Sequence, residues 1–231
     1  MKLTERQKKM LELFETRERL KVKELTKLFY VSDMTVRRDL DELEGMGYIT
    51  RFRGGAVYNG VSENMPIRQR FFVDEEEKKA LARKAAQYLQ NDSSVFIDSS
   101  ATCAYLMGHI KKHQNIKVFT NSVNTLQIAS RLKISCVLIG GEYDAADMCL
   151  VGPLAEQFAE QINVDVAFFS SQGFDSDGTV SDTDLPQTTV RKRIMKNSGQ
   201  NVFLFEKNRM NKKYLYTLCT VENDIVIILN D

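Results

Sequence analysis

VSDMTVRRDL, residues 31–40, sets two arginines, Arg37 and Arg38, ahead of an acidic run made of Asp39, Asp41, Glu42 and Glu44. Val36, Leu40 and Leu43 recur at helical spacing, so the stretch reads as a helix with one buried stripe, capped by Ser32 or Asp33 and closed by Gly45 and Gly47. The helix macrodipole favours the opposite order of charges, by a few tenths to about 1 kcal/mol each. A local rule broken in this way points to a binding surface. At about 100° per residue, Arg38 lies roughly 200° from Val36 and faces away from the core, with Thr35 and Arg37 on its flanks. A DNA-recognition helix offers its N-terminal residues to bases and phosphates, so only its first two turns want cations. The plainer alternative is a solvated face on which Arg37 pairs with Asp41 and Arg38 with Glu42.

The flanking sequence favours DNA. Upstream, Gln7, Met10, Leu11 and Phe14 form one helical stripe with Thr4 placed to cap, and Val22, Leu25, Leu28 and Phe29 form a second. Downstream, YITRFRGGAVY reads as a two-stranded ribbon turning at Gly54-Gly55, with Arg51 and Arg53 on one face. Three short helices followed by an arginine-bearing ribbon make a winged helix-turn-helix over residues 1–58. This part carries 13 Lys and Arg against 10 Asp and Glu, whereas the remainder carries 19 against 21, so the positive excess sits where an anionic partner is expected.

Residues 59–74, polar and Pro-containing, read as a linker. From residue 75 onward, apolar runs (SVFID, KVFTN, CVLIGG, VDVAFFSS, NVFLFE, DIVIILND) alternate with helical stretches near 75–90, 101–112, 122–132, 151–162 and 186–199. The expected fold class is therefore α/β: a mostly parallel sheet covered by helices, over residues 75–231, with ligands bound beyond the carboxyl ends of the strands. The strand ending at Asp98 runs into Ser99, Ser100 and Thr102, small hydroxyl residues opening a helix, which suits a phosphate.

The stretch VSDMTVRRDLDELEGMGYITRFRGGA resembles the pattern of the DeoR family of bacterial transcriptional regulators, V-S-x-x-T-[IV]-R-R-D-L-x-x-L ending in R-x-x-G-G-A. The resemblance implies that Ser32, Thr35, Arg37 and Arg38 on the recognition helix, and Arg51 and Arg53 on the wing, contact phosphates and base edges of double-stranded operator DNA. It extends more weakly along the chain: Asp98-Ser99-Ser100-Ala101-Thr102 stands where the family has D-x-G-T-T, Asn121-Ser122 in its T-N-S, Gly140-Gly141 in its L-G-G, and Gly152-Pro153 in its G-P. Ser170-Ser171-Gln172-Gly173 replaces G-A-x-G, Gln187 and Arg191 replace a glutamate and a lysine, and Glu206-Lys207-Asn208-Arg209 replaces D-S-S-K.

The family's second domain resembles ribose-phosphate isomerases and binds a phosphorylated sugar or related metabolite. The residues this implies here are Asp98, Ser99, Ser100, Thr102, Asn121, Gly141, Gly173, Arg191 and Arg209. A pocket remodelled for another anionic metabolite, and a domain used only for oligomerisation, stand as alternatives. The overall expectation is a repressor of a carbohydrate-metabolism operon, a homodimer or higher oligomer rather than an enzyme; the competing reading is a sugar-phosphate isomerase-like enzyme with a fused DNA-binding module.

Other chemistry reduces to structure. Cys103, Cys136, Cys149 and Cys219 form no C-x-x-C pair and no secretory signal precedes them, so reduced, mostly buried thiols in a cytoplasmic protein are expected. The longest apolar run, IVIIL at 225–229, is far too short to span a bilayer, and no membrane partner is expected. His109 and His113 share a helix spacing without a neighbouring carboxylate or cysteine, and Asp175-Ser176-Asp177-Gly178 lacks the later ligands of a calcium loop. No metal and no cofactor are expected.

Overall fold

The computed structural model describes residues 3–46, 48–58, 67–222 and 225–230, and the chain divides into two compact units, Met1–Arg70 and Phe71–Asp231. In the first, α1 (Glu5–Arg17), β1 (Arg19–Lys21), α2 (Val22–Phe29), α3 (Asp33–Gly45), β2 (Ile49–Phe52) and β3 (Gly55–Tyr58) follow one another, and α4 (Ile67–Arg70) closes the unit. Thr4 caps α1 through a reciprocal box: its hydroxyl accepts from the Gln7 N–H at 3.2 Å, and its own N–H donates to Gln7 Oε1 at 2.8 Å. Met10, Phe14, Leu25, Val36, Leu40 and Leu43 are fully buried, so the stripes meet in one core. Leu28 departs from its expected stripe and is 47% exposed.

The wing has three strands in the order β1-β3-β2, all antiparallel, rather than two. β1 is only three residues long, too short to announce itself by alternation. The hairpin turns at Arg53-Gly54, one residue earlier than expected, because Gly55 pairs with Phe52 and the positive φ of +96° falls on Gly54. Arg53 therefore lies in the turn and shares no strand face with Arg51. Gly47 and residues 59–66 of the expected linker lie outside the described residues, while 67–70 are helical.

An acid from the charged half of α3 is buried between helices. Asp39, 2% exposed, accepts from Arg6 Nε at 2.5 Å and Arg6 Nη2 at 3.1 Å, with Gln7 Nε2 at 3.4 Å. The hydrogen bond to Asp39 raises the Arg6 pKa. Asp39→Ala should destabilise this unit by about 1–3 kcal/mol, the loss of charge-assisted hydrogen bonds with an arginine that can still reach water; thermal unfolding monitored at 222 nm checks this.

The second unit is built on a six-stranded, all-parallel sheet. Its elements run α5 (Glu75–Ala85), β4 (Ser94–Ile97), α6 (Ala101–Ala104), α7 (Met107–Ile110), β5 (Lys117–Thr120), α8 (Val123–Leu132), β6 (Cys136–Leu138), β7 (Glu142–Asp144), β8 (Cys149–Val151), α9 (Pro153–Gln161), β9 (Val164–Phe169), β10 (Gly173–Phe174), β11 (Thr179–Asp182), α10 (Leu185–Lys196), β12 (Ser198–Phe205), β13 (Tyr216–Thr220) and β14 (Ile225–Leu229). The sheet order is β14-β12-β9-β4-β5-β6. All six expected runs supply its strands, and they lack polar alternation because both faces are covered. Val95, Ile97, Phe168, Val202 and Leu204 face the core under α5, α7 and α8, whereas Phe96, Phe169, Phe203 and Phe205 face the one under α9 and α10.

Two small antiparallel pieces were not expected: the hairpin β7-β8 and the sheet β10-β11-β13. Their strands are only two to five residues long, so they carry little period-two signal. Among the cysteines, Cys103 and Cys149 are buried and none is bonded to another. Burial pushes the Cys103 thiol far up, Cys136 up to about 11 and Cys149 up to about 12, so these three stay protonated and poorly nucleophilic near neutral pH.

Candidate nucleic-acid interface and ligand site

Ser32 is the N-cap of α3: its Oγ accepts from the Thr35 N–H at 3.2 Å, and the two hydroxyls lie 2.9 Å apart. Arg37 and Arg38 are both exposed. The acids one turn further on, which could have neutralised them, are engaged elsewhere. Asp41 is bonded by Arg51 Nη1 from the wing, and Glu42 Oε2 accepts from Gln7 Nε2 at 2.6 Å. Among the described residues neither Arg37 nor Arg38 has a carboxylate partner.

Arg51 serves the fold, since its Nη1 also donates to the Arg37 carbonyl at 3.2 Å and its N–H donates to Glu44 Oε1 at 2.6 Å. It pins the wing to α3. Of the six residues expected to meet DNA, Arg37, Arg38 and Arg53 present exposed cations, Ser32 and Thr35 shape the start of the helix, and Arg51 clasps. Arg51→Ala should leave the fold intact but loosen the wing, and faster amide hydrogen exchange across residues 49–58 checks this.

In the second unit the winding of the strand order reverses between β4 and β9, parallel neighbours whose onward connections leave toward opposite edges of the sheet. Such a switch point opens a crevice at the carboxyl ends. Asp98 bridges it. Its Oδ1 accepts from the Ser100 N–H at 2.9 Å and the Ser100 hydroxyl at 2.5 Å, and its Oδ2 from the Ser170 N–H at 2.9 Å.

Arg191 enters from α10 and is only 6% exposed. Its Nη1 donates to Asp182 Oδ2 at 2.8 Å, its Nη2 to Gln187 Oε1 at 3.2 Å, and its Nε lies 3.4 Å from Asp98 Oδ2. Burial works against the charge, yet the Asp182 and Asp98 carboxylates outweigh it and the Arg191 pKa is raised. Gln187 extends the network, accepting from Ser99 Oγ at 2.8 Å and donating to Asp147.

A second buried pair lies beside the first. Lys78 Nζ, on α5, is 2.7 Å from Glu206 Oε2, while Thr102 Oγ1 donates to Glu206 Oε1 at 2.7 Å. Hence Ser99, Ser100 and Thr102 already spend their hydroxyl protons on protein carboxylates and amides. Asn121 is 3% exposed; its amide nitrogen donates to the Leu150 carbonyl at 3.3 Å, and its Oδ1 has no partner among the described residues. Arg209 is half-buried and donates to Gln172 Oε1 at 3.2 Å. Gly141 and Gly173 are glycines for packing: a Cβ would stand 2.5 Å from the Val151 carbonyl oxygen and 2.5 Å from that of Lys212.

Comparison with known proteins decides what these two units are. A model of the DeoR-like helix-turn-helix domain matches residues 6–61, and one of the DeoR C-terminal sensor domain matches residues 73–231. The chain belongs to the DeoR family of transcriptional regulators. It is 30% identical over 233 residues to the HTH-type regulator YulB of Bacillus subtilis, covering 100% of this chain and 90% of that one. It is 30% identical to the glycerol-3-phosphate regulon repressor of Escherichia coli, covering 96% and 88%, and 28% to the lactose phosphotransferase system repressor of Streptococcus mutans, covering 92% and 86%. A ribose-5-phosphate isomerase in complex with phospho-erythronic acid overlaps 59% of this chain and 54% of its own at a TM-score of 0.45 and 17% identity, a loose likeness that says nothing of activity.

This DeoR-family regulator is thus a DNA-binding protein, and among its described residues no helix is long and apolar enough to cross a membrane. Asp182, Asp147 and Lys78 escaped the sequence reading of the sensor domain. Lys78 carries a signal in hindsight, since it shares a helix stripe with the buried Leu81, Ala82 and Ala85. Asp182 carries none, because a strand-end acid reads as solvent-facing until its arginine is placed.

Proposed function

We propose that this regulator is a repressor that holds operator DNA with Arg37, Arg38 and Arg53 and responds to a phosphorylated small molecule at the carboxyl ends of the sensor strands. The supporting observation is the pair of exposed, unneutralised guanidinium groups on the first half of α3, with Asp41 and Glu42 drawn away by Arg51 and Gln7. Relatives named for a glycerol-3-phosphate regulon and a lactose phosphotransferase system support a phosphorylated carbohydrate as the signal. Within the ligand site, Arg209 supplies a countercharge whose other donors remain available. Asn121 Oδ1 supplies an acceptor for a ligand hydroxyl.

Asp98 and Arg191 act as the buried frame of that site. The protein works as a dimer on two half-sites, because one winged helix offers few base contacts. A thermal-shift screen of sugar and polyol phosphates against their unphosphorylated forms tests the sensor reading, since a ligand of the folded state raises stability by RT ln(1 + [L]/Kd). Arg209→Ala should weaken the phosphorylated compound about ten- to a hundredfold by calorimetry, the value of a charge-assisted hydrogen bond. Equal shifts with and without phosphate would contradict the anion site.

A further inference from the structure

Two exposed side chains at the entry to α3 contribute nothing to the packing of the fold. Tyr30 is 93% exposed and Met34 is 80% exposed. Single exposed apolar residues are ordinary on any surface, and these two stand out by position. Tyr30 ends α2 in the left-handed region, at φ 53° and ψ 41°, where glycine sits freely and a bulky residue is strained. Its ring recovers nothing by burial. Strain kept without a packing return marks a functional position.

Met34 is the second residue of α3, about 200° around the helix from the buried Val36 and one turn ahead of Arg38 on the same line. Asp33, the one acid of that first turn, bends back to accept from Thr26 Oγ1 of α2 at 3.0 Å. The leading face of the recognition helix is therefore Met34, Arg37 and Arg38.

We propose that Met34 reads a thymine methyl group in the major groove and that Tyr30 donates its hydroxyl to a phosphate beside the same half-site. Thymine alone shows a methyl group on the floor of the major groove, and an apolar side chain on the leading turn of a recognition helix is the partner that contact requires. Arginine serves guanine and phosphate but gains little from a methyl group, so Met34 adds a base preference that Arg37 and Arg38 do not supply. Tyr30, on the turn just ahead of α3, reaches outward to where the DNA backbone borders the groove, and tyrosine hydroxyls donate to phosphate oxygens.

The test uses the full chain and a duplex selected by the wild type from a randomised pool. Each thymine is replaced in turn by deoxyuridine, which removes only the methyl group. At one position per half-site the wild type should lose about fivefold in affinity, Met34→Ala should lose a similar factor on the parent duplex, and Met34→Ala should then be indifferent to that deoxyuridine. Tyr30→Phe should weaken selected and random duplexes alike, roughly fivefold, with the salt slope unchanged because no cation is removed. Tyr30→Gly should keep or raise the melting temperature while weakening DNA binding. Unaltered affinity of Met34→Ala for the selected duplex, or equal sensitivity of it and the wild type at every deoxyuridine, overturns the methyl contact. Unaltered affinity of Tyr30→Phe, or a changed salt slope, overturns the phosphate contact.

Discussion

Replacing Arg191 with methionine should destabilise the sensor domain by about 3–5 kcal/mol, the cost of removing one partner from a buried ion pair and stranding the other. The size follows from what remains. Asp98 and Asp182, 0% and 4% exposed, would face each other across an apolar side chain with no countercharge. The further change of both acids to asparagine should recover part of the loss, since the amides need no countercharge, while the single amide oxygen at position 98 can accept from only one of the Ser100 and Ser170 N–H groups. Arg191→Lys should not suffice, because an ammonium cannot reach Asp98, Asp182 and Gln187 from one planar fork. Urea unfolding of the full chain, followed by circular dichroism, measures all three. A loss below about 1 kcal/mol for the methionine variant would mean that the pair contributes no more than a surface ion pair does.

The second large effect concerns DNA. Arg37→Ala combined with Arg38→Ala should weaken binding to a selected duplex roughly a hundredfold or more, at about 1–3 kcal/mol per lost contact. If either arginine meets a phosphate, the log–log slope of affinity against salt should fall by about 1 for each such contact. Thermal stability should stay within about 0.5 kcal/mol of wild type, because both side chains are exposed and the acids one turn on are bonded elsewhere. Fluorescence anisotropy at several salt concentrations, beside a melting curve, separates lost contacts from a lost fold.

Much of the architecture was legible because burial leaves a mark on sequence. The six parallel strands are built on apolar runs, as two covered faces demand, with Asp165 a polar break near the start of β9, and α3 shows its buried stripe through Val36, Leu40 and Leu43. What could not be read is where charge stops being surface. Asp39 and Lys78 sit in runs that look solvated, yet each is buried by a partner far away in the chain, Arg6 for one and Glu206 for the other. Arg51 shows the same limit: arginine on a wing suits DNA, and its clasp on the helix through Asp41 and the Arg37 carbonyl comes from residues that the ribbon's own sequence does not name. The turn at Arg53-Gly54 was displaced by one residue because two adjacent glycines offer two equally plausible sites for a positive φ. In the candidate ligand site, the placement of the hydroxyl residues was readable and their bonding was not. Ser99, Ser100 and Thr102 do lie at the end of β4, but whether their hydroxyls are free depends on Gln187, Asp98 and Glu206, which come from other parts of the chain.

If α3 is the part that distinguishes one DNA sequence from another, the specificity ratio measures this most directly. The full chain would be presented with a randomised duplex pool at fixed salt, and affinities for the selected and for random duplexes then determined for the wild type and for the double Arg37, Arg38 alanine variant. A recurring sequence held by the wild type on the order of 10³-fold or more over random DNA, falling to about tenfold or less in the variant, is the predicted result. Emergence of no recurring sequence, or a variant that keeps the wild-type ratio, would contradict it.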